Sequence, residues 1–458
     1  MSPRLCLGAA TAAFLLLGSN AAVQAQQKFP ATLAGHAVLP AMTLVQPPAD
    51  APPELKISGR YAATAGKRVD TPNSVAAVSA LSDRAAPRLT GGKLPFTGQP
   101  VQGFSGIKRM GDGSYLVITD NGYGSKANSP DAMLMFHRLK PDWKTGRVER
   151  ISTTFLHDPD RKVPFLIVNE NTPKRYLTGS DFDIESIQPI GNEIWFGDEF
   201  GPFLIRATRD GKVLAVYETK LDGKVLRSPD NPSLTMPAVP GAVKFEVRRS
   251  KGFEGMAASP DGKLLYPLLE GPIWSETSNG WEMKDGKQFL RILEFDVSKG
   301  EYTGRSFKYL LEANGHAIGD FNMIDATSGL IIERDDTEGD AAQACNGPPK
   351  PDCFNVPAKF KRVYKVDFAQ ADSEGFVKKV GYIDLMDIAD PDKKARQGGK
   401  DGKLTFPFFT IENVEIVDAD HIIVGNDNNL PFSSGRALGK PDDNEFVLLK
   451  VTDFLKAK

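Results

Sequence analysis

Cysteine and histidine are both scarce: 458 residues hold three of the first and five of the second. The histidines are His36, His137, His157, His316 and His421, and none falls in a His-Glu-x-x-His pattern. The chain also lacks a Gly-x-Ser-x-Gly elbow and a Gly-x-x-x-x-Gly-Lys-Ser/Thr loop, which sets aside three common hydrolase and nucleotide-binding chemistries. No Ser–His–acid triad can be assembled from the order of residues. His421 opens an apolar run and reads as structural; His316, near the fourth of the hairpins described below, stays of interest. The pairs Asp181/Asp183 and Asp418/Asp420 are too short to be EF-hand loops.

Charge of one sign is missing too. Lys and Arg number 56 against 58 Asp and Glu, a formal net charge of -2, so neither nucleic acid nor an anionic membrane is an expected partner. No amphipathic helical period runs beyond about three turns. Only one long apolar run occurs, Leu5 to Leu17 after Arg4, too short to span a bilayer. With Val23-Gln24-Ala25 behind it, residues 1–25 read as a secretory signal, and the mature protein is expected in the periplasm or outside the cell. Cys6 would leave with that signal. Cys345 and Cys353 bracket a Pro-rich loop, and in an oxidising compartment such a pair predicts a disulfide over a metal site.

What is present in quantity is strand and turn. Hydrophobic residues make up 41% and charged ones 25%, with 43 Gly and 33 Pro, enough apolar material for a large core and many turns. Residues 26–53 are Pro- and Ala-rich and read as a poorly ordered leader. A single domain then fills 54–458. Within it, Asp183-Ile184-Glu185-Ser186-Ile187 and Glu193-Ile194-Trp195-Phe196-Gly197-Asp198-Glu199 read as two strands turning at Gly191-Asn192. Antiparallel pairing brings the acids at the start of the first strand and the end of the second to one edge.

The same hairpin recurs. An earlier copy runs from Phe104-Ser105-Gly106-Ile107 to Asp120-Asn121-Gly122. Later copies run from Phe253-Glu254-Gly255-Met256 to Glu270-Gly271-Pro272 and, more weakly, from Phe321-Asn322-Met323-Ile324 to Glu333-Arg334-Asp335. The last runs from Ile411-Glu412-Asn413-Val414 to Asn426-Asp427-Asn428. Two further strand-like segments follow each copy except the last, which has one, Phe446–Val451; Leu55–Ser58 is expected to supply its missing fourth strand, closing a ring. Repeated four-stranded units with almost no helix predict an all-β fold, a β-propeller of five blades. Six blades stay open, because residues 60–100 or 220–250 have room for another. A β-sandwich is the alternative, but it has no reason to repeat an acid-ended hairpin.

On a propeller, the strand starts Ser105, Glu185, Glu254, Asn322 and Glu412 would face the strand ends Asp120, Asp198, Glu199, Glu270, Glu333 and Asp427 around one rim. Crowded carboxylates repel unless neutralised, and a hard cation with oxygen ligands, Ca²⁺ foremost, is the natural counter-charge. Asn121, Asn322, Asn413, Asn426 and Asn428 offer amide oxygens to complete such a shell. Arg334 and Arg206 suit an anionic ligand. Each acid taken singly is better explained as a turn cap.

In this order the five hairpins resemble the exported bacterial phytase-like domain proteins, labelled for an esterase-like activity of phytase, over about residues 100–452. The resemblance implies a propeller that hydrolyses phosphate or other small-molecule esters with metal assistance. Glu185, Glu254 or Glu412 would be ligand or general base, and Asp120, Asp198, Glu199, Glu270, Glu333 and Asp427 further ligands. The fourth copy departs most, with Asn322 where Glu is expected. Two other readings stand beside it: a non-catalytic, Ca²⁺-stabilised binding module, and a lactonase-type esterase.

Overall fold

A computed structural model describes residues 26–458 apart from 65, 66 and 242. The expected signal lies outside these residues. Among them the fold is nearly all β, with one short α-helix, Thr452–Lys456, and no helix long and apolar enough to cross a membrane.

Five antiparallel units of four strands make up the frame. The first comprises Phe104–Arg109, Tyr115–Thr119, Met135–Asp142 and Arg147–Phe155. The second comprises Ile184–Ile190, Glu193–Asp198, Phe203–Thr208 and Val213–Glu218. The third is Phe253–Ala258, Leu264–Leu269, Lys287–Asp296 and Glu301–Leu310. The fourth is Ala317–Met323, Ser328–Arg334, Lys361–Asp367 and Lys378–Ala389. The fifth takes Thr410–Ile416, His421–Asp427 and Asn444–Lys450 from the end of the chain.

Its fourth strand is Gln27–Leu39, antiparallel to Asn444–Lys450 through pairs from Thr32↔Lys450 to Leu39↔Asn444. This corrects two expectations. Residues 26–53 are not a loose leader, and Leu55–Ser58 does not close the ring: Ile57–Ser58 pairs only with Phe96–Thr97. Three alanines and a proline in 27–39 hid a strand because β-propensity reports packing more than intrinsic preference. Pro30 falls at an irregularity in the parallel register with Lys378–Ala389, one of the few places a strand tolerates proline.

The units pack face to face around a common axis. The first strand of each neighbours the first strand of the next, and that of the fifth neighbours that of the first. Five apolar cores fill the gaps between faces. One joins Leu116, Ile118 and Phe136 to Ile187 and Phe196; another joins Trp195 and Leu204 to Phe253 and Met256. A third joins Leu268 and Ile292 to Phe321 and Ile331. The largest joins Leu330 and Val363 to Ile411, Val414 and the N-terminal Phe29 and Leu33. The last joins Ile423 and Phe446 back to Phe104 and Val117. The arrangement is propeller-like. Residues 60–100 and 220–250 contribute short hairpins, Val75–Val78 with Leu89–Leu94 and Lys220–Leu221 with Lys224–Val225, rather than another four-stranded unit. Cys345 and Cys353 form the expected disulfide.

Because Gln27–Leu39 completes the fifth sheet, its buried side chains carry global stability. Leu33→Ala, at a position 1% exposed, is expected to cost about 2–5 kcal/mol, read as a lower urea midpoint with an unchanged slope. A change below about 0.5 kcal/mol would mean that the strand is dispensable.

Candidate functional site

The acids meet because each first strand is bulged where it approaches the axis. Ile184 pairs with Asp198 and Ser186 with Gly197, leaving Glu185 as the extra residue. Glu254 and Glu412 are extra in the same way, between Phe253↔Leu269 and Gly255↔Leu268, and between Ile411↔Asn426 and Asn413↔Gly425. A bulge bends its strand and re-aims the side chain it carries, here toward the common axis. In the first unit the break falls one residue later, with Ser105 paired to Ile118 and Gly106 extra; Ser105 holds the glutamate's place in the sequence motif and donates to Glu412 at 2.9 Å.

The fourth unit corrects the expected register. Ile318 pairs with Glu333 and Phe321 with Ile331, so Ile318-Gly319-Asp320-Phe321 is the true copy and Gly319, not Asn322, stands at the Glu position. No side chain fits there: a Cβ on Gly319 would lie 1.9 Å from the Ile411 carbonyl oxygen. The five closing positions follow from the same alignment as Asp120, Glu199, Glu270, Arg334 and Asp427. Four are acids and one is a cation.

The structure gathers most of the expected acids into one buried group. Ligand-capable oxygens of Asp183, Glu185 and Glu199 lie within 4.8 Å of one another, as do those of Glu185, Glu254 and Glu412 and those of Glu199, Glu254 and Glu270. Each triad shares at least one glutamate with another. Asp120 and Asp427 border the group: Glu412 raises the pKa of both, and Asp427 and Asp183 raise that of Asp120. Two cations face these eight carboxyls. Arg334 sits 3.1 Å from Glu412, 3.6 Å from Glu270 and 2.6 Å from Asp336, and Lys251 pairs with Glu270. Burial first, and neighbouring carboxylates second, hold Asp120, Glu185 and Glu254 well above the ordinary carboxylate range. Glu199 is raised by burial and by Glu270, and burial with Glu412 pushes Asp427 up to about 8. Glu199 Oε1 and Glu254 Oε1 are buried with no hydrogen-bond partner among the described residues.

Below the acids the axis is plugged. Asn322 donates to the carbonyls of Ile107 and Val414 at 3.1 and 2.9 Å, and its Oδ1 accepts from Gln188 at 2.8 Å. Gln188 also donates to the Met256 carbonyl at 2.6 Å. Two side chains, Asn322 from the fourth unit and Gln188 from the second, thus tie together all five first strands, two or three residues (roughly 7–10 Å) beyond the acids.

Other expected residues lie elsewhere. Asp198 is a turn clamp, accepting from the Asp183 and Gly201 amides at 2.8 and 2.7 Å. Glu333 turns away from the axis, since neighbours on a strand point to opposite faces. It accepts from Tyr309 Oη at 2.8 Å and the Glu312 amide at 2.7 Å, and meets His316 at 2.9 Å and Lys379 at 2.9 Å. Burial opposes its charge, yet Lys379 and His316 hold its pKa at about 2. Arg206 pairs with Glu193 at 2.7 Å, at the turn end of its hairpin. Asn413, Asn426 and Asn428 bind backbone, and Asn121 donates to Asp183 at 2.6 Å. Two site residues escaped the sequence reading. Asp183 precedes Glu185 by two, a same-face spacing that signals it. Lys251 comes from a loop, and no pattern signals it. A surface cleft of about 610 Å³ beside Phe165, Tyr217 and Tyr302 holds no comparable cluster of titratable groups.

Residues 99–430 match the family described as "Phytase-like: Esterase-like activity of phytase". The chain belongs to this family. All ten ring positions, Ser105 to Asp427, lie inside the matched span. An "Uncharacterized secreted protein" of Arthroderma benhamiae is 31% identical over 120 residues, which are 24% of this chain and 23% of that protein. The chain thus matches about a quarter of its length. Among solved structures, the PQQ-bound aldose sugar dehydrogenase of Streptomyces coelicolor is 13% identical, covering 76% of this chain and 94% of its own, at a TM-score of 0.34. A putative 6-phosphogluconolactonase of Bacteroides uniformis is 12% identical, covering 76% and 87%, at 0.29. Likenesses this distant bear on neither activity nor unit count.

The raised carboxyls give a pH dependence whose sign is fixed. A carboxyl with a raised folded-state pKa holds its proton longer folded than unfolded, so stability falls as pH rises from the ordinary value to the raised one. Asp198 rises from 3.8 to about 7 and Asp427 from 3.8 to about 8, both mainly through burial. Metal-free protein in chelator is therefore expected to lose melting temperature steadily between about pH 4 and pH 8. Calorimetry finding a flat or rising profile there would show that these groups are not strained.

Proposed function

We propose that this protein is an exported, cation-dependent hydrolase of small anionic esters, phosphate esters first, acting at the acidic end of a five-bladed β-propeller. The observation that carries the reading is the set of overlapping carboxylate triads with two unpartnered buried oxygens, Glu199 Oε1 and Glu254 Oε1. Oxygen-only donors in a flexible, strongly negative set fit Ca²⁺ better than a softer metal. Glu185, Glu199, Glu254, Glu270 and Glu412 would hold one or more such ions, with Asp120, Asp183 and Asp427 at the margin. Bound there, the cation would supply polarisation of an ester oxygen and a more acidic water.

The chain's own groups then have distinct tasks. In phosphate-ester hydrolysis, water oxygen bonds to phosphorus, the bond from phosphorus to the alcohol oxygen breaks, and a proton passes from the water to the leaving alcohol. Glu185, Glu254 and Glu412 are the candidates for moving that proton. Glu254 leads, because it belongs to two triads and one of its oxygens is unengaged. Arg334, the one cation on a ring position, steadies the ester's negative charge. The plug at Asn322 and Gln188 restricts approach to the acid end. Export is supported by the Cys345–Cys353 disulfide and by the secreted fungal relative.

Burial favours one competing reading. Glu185, Glu254 and Glu412 are all under 9% exposed, which also suits a purely structural ion in a binding module. A substrate panel with metal analysis separates the two. Hydrolysis is expected to vanish in chelator, return with Ca²⁺, and fall at least about 100-fold in Glu254→Gln with the fold intact. If the Ca²⁺-loaded protein cleaves neither phosphomonoesters, phosphodiesters nor carboxyl esters, the binding module is the correct reading.

A further inference from the structure

Beside the acid centre, the loop after Glu270 and the loop before Phe253 run together away from the axis. Both connect strand ends on the acid face, because they join the ends of strands that close or open at the ring positions. The Gly271 amide donates to the Lys251 carbonyl at 3.3 Å, and the Trp274 amide donates to the Glu246 carbonyl at 2.8 Å. This paired rim starts at the Lys251–Glu270 ion pair and ends at two tryptophans. Trp274 and Trp281 pair across a small hairpin with ring centroids 5.2 Å apart and planes at 82°. The Arg248 guanidinium lies over Trp281 at 4.3 Å. With Val243 and Phe245 the two tryptophans line a cleft of about 360 Å³, within the range of small-molecule sites. Four residues separate Trp274 from Glu270, so their Cα atoms are at most about 14 Å apart.

We propose that this tryptophan cleft is the leaving-group subsite of the acid centre, and that it takes a flat aromatic ring carried by the anionic ester. The inference rests on the ester-hydrolase reading of that centre. Three observations select the occupant. The rim is continuous with the Lys251–Glu270 ion pair, and the ceiling of about 14 Å between the Glu270 and Trp274 Cα atoms is a span that one extended ligand can bridge. The cations along it, Lys251 with a side chain 34% exposed and then Arg248, suit an anionic group at the inner end. Glu246 and Glu276 on the cleft wall are each engaged by lysines, Lys224 with both and Lys244 with Glu276, so the wall itself carries little free negative charge. Two half-exposed indoles set edge to face offer a planar ring both stacking and edge contacts. Arg334 is 5% exposed and already held by three carboxylates, which makes Lys251 the cation an arriving ester meets first.

The test compares two non-hydrolysable ligands, 1-naphthylmethylphosphonate and methylphosphonate, by calorimetric titration of the full Ca²⁺-loaded chain. The naphthyl ligand is expected to bind about tenfold tighter or more. Trp281→Ala should erase most of that ratio and Trp281→Phe should retain it. Phe245→Ala, checked by circular dichroism, stands in if Trp281→Ala does not fold. Equal binding of the two ligands to the unmodified protein overturns the proposal. So does a ratio that survives both alanine variants, or a sugar-bearing phosphonate that outbinds the naphthyl one. Failure of the parent reading looks different: neither phosphonate binds, with or without Ca²⁺, and no phosphate ester is cleaved, which overturns the subsite with it. Ring-dependent binding without turnover removes the hydrolase and supports the cleft as a recognition site.

Discussion

Repulsion among carboxylates forced into one apolar-walled space is the constraint on which the rest of this structure depends. Two unit charges 4.8 Å apart repel by about 3 kcal/mol at an effective dielectric near 20. The three triads contain nine distinct pairs at or inside that distance. Fully ionised and unscreened, they would exceed the whole stability of an ordinary domain, about 5–15 kcal/mol. Arg334 and Lys251 relieve chiefly the side nearest Glu270 and Glu412. The remaining acids must keep protons or take a cation. Every carboxyl whose pKa is raised here expresses the first choice, and the unpartnered oxygens of Glu199 and Glu254 express room for the second.

A frame that holds such a cluster has to resist being pushed open, and this one is closed twice. At the periphery the two ends of the chain lock together, as Gln27–Leu39 completes the sheet that Asn444–Lys450 leaves open. Separating them would expose the largest apolar core. At the axis, Asn322 reaches partners in other units and Gln188 extends the tie to Met256. A buried polar plug of this kind is stable only because its amide hydrogens are all spoken for. The bulges could not aim Glu185, Glu254 and Glu412 at one point if the first strands were free to splay.

What the sequence disclosed follows from which part of this physics is local. Strand alternation and turn chemistry act over a few residues, so the hairpins, their acid ends and the Cys345–Cys353 pair were legible. Register inside a strand was legible only where a glutamate marked it. In the fourth unit the mark is absent, since Gly319 must clear the Ile411 carbonyl, and Asn322 three residues on was mistaken for it. The same shift made Glu333 look like a ring residue when Arg334 is the one that faces the axis. Gln27–Leu39 owes its strand to partners more than four hundred residues away in some pairs, and an Ala-rich segment carries no trace of that. Lys251 is placed by a loop whose course depends on Gly252, where a Cβ would lie 2.5 Å from the Glu199 Cα and carbonyl oxygen.

The fourth unit then reads as the counterweight of the ring rather than a degenerate copy. It removes an acid at Gly319, where backbone contact forbids any side chain, and supplies Arg334 where its siblings supply carboxylates. A lysine there would offer a single point charge, whereas the planar guanidinium reaches Glu412, Glu270 and Asp336 at once from one buried position. That geometry leaves the negative charge lopsided: it is partly offset around Glu270, Glu412 and Glu199 and least offset around Asp183 and Glu185. On the proposed function, a cation would be drawn first to the side farthest from Arg334, and an anionic ester to the side nearest Lys251. The asymmetry of one unit would thus separate two ligands of opposite charge within a site that five identical acid-ended hairpins would have made uniformly repellent to the second.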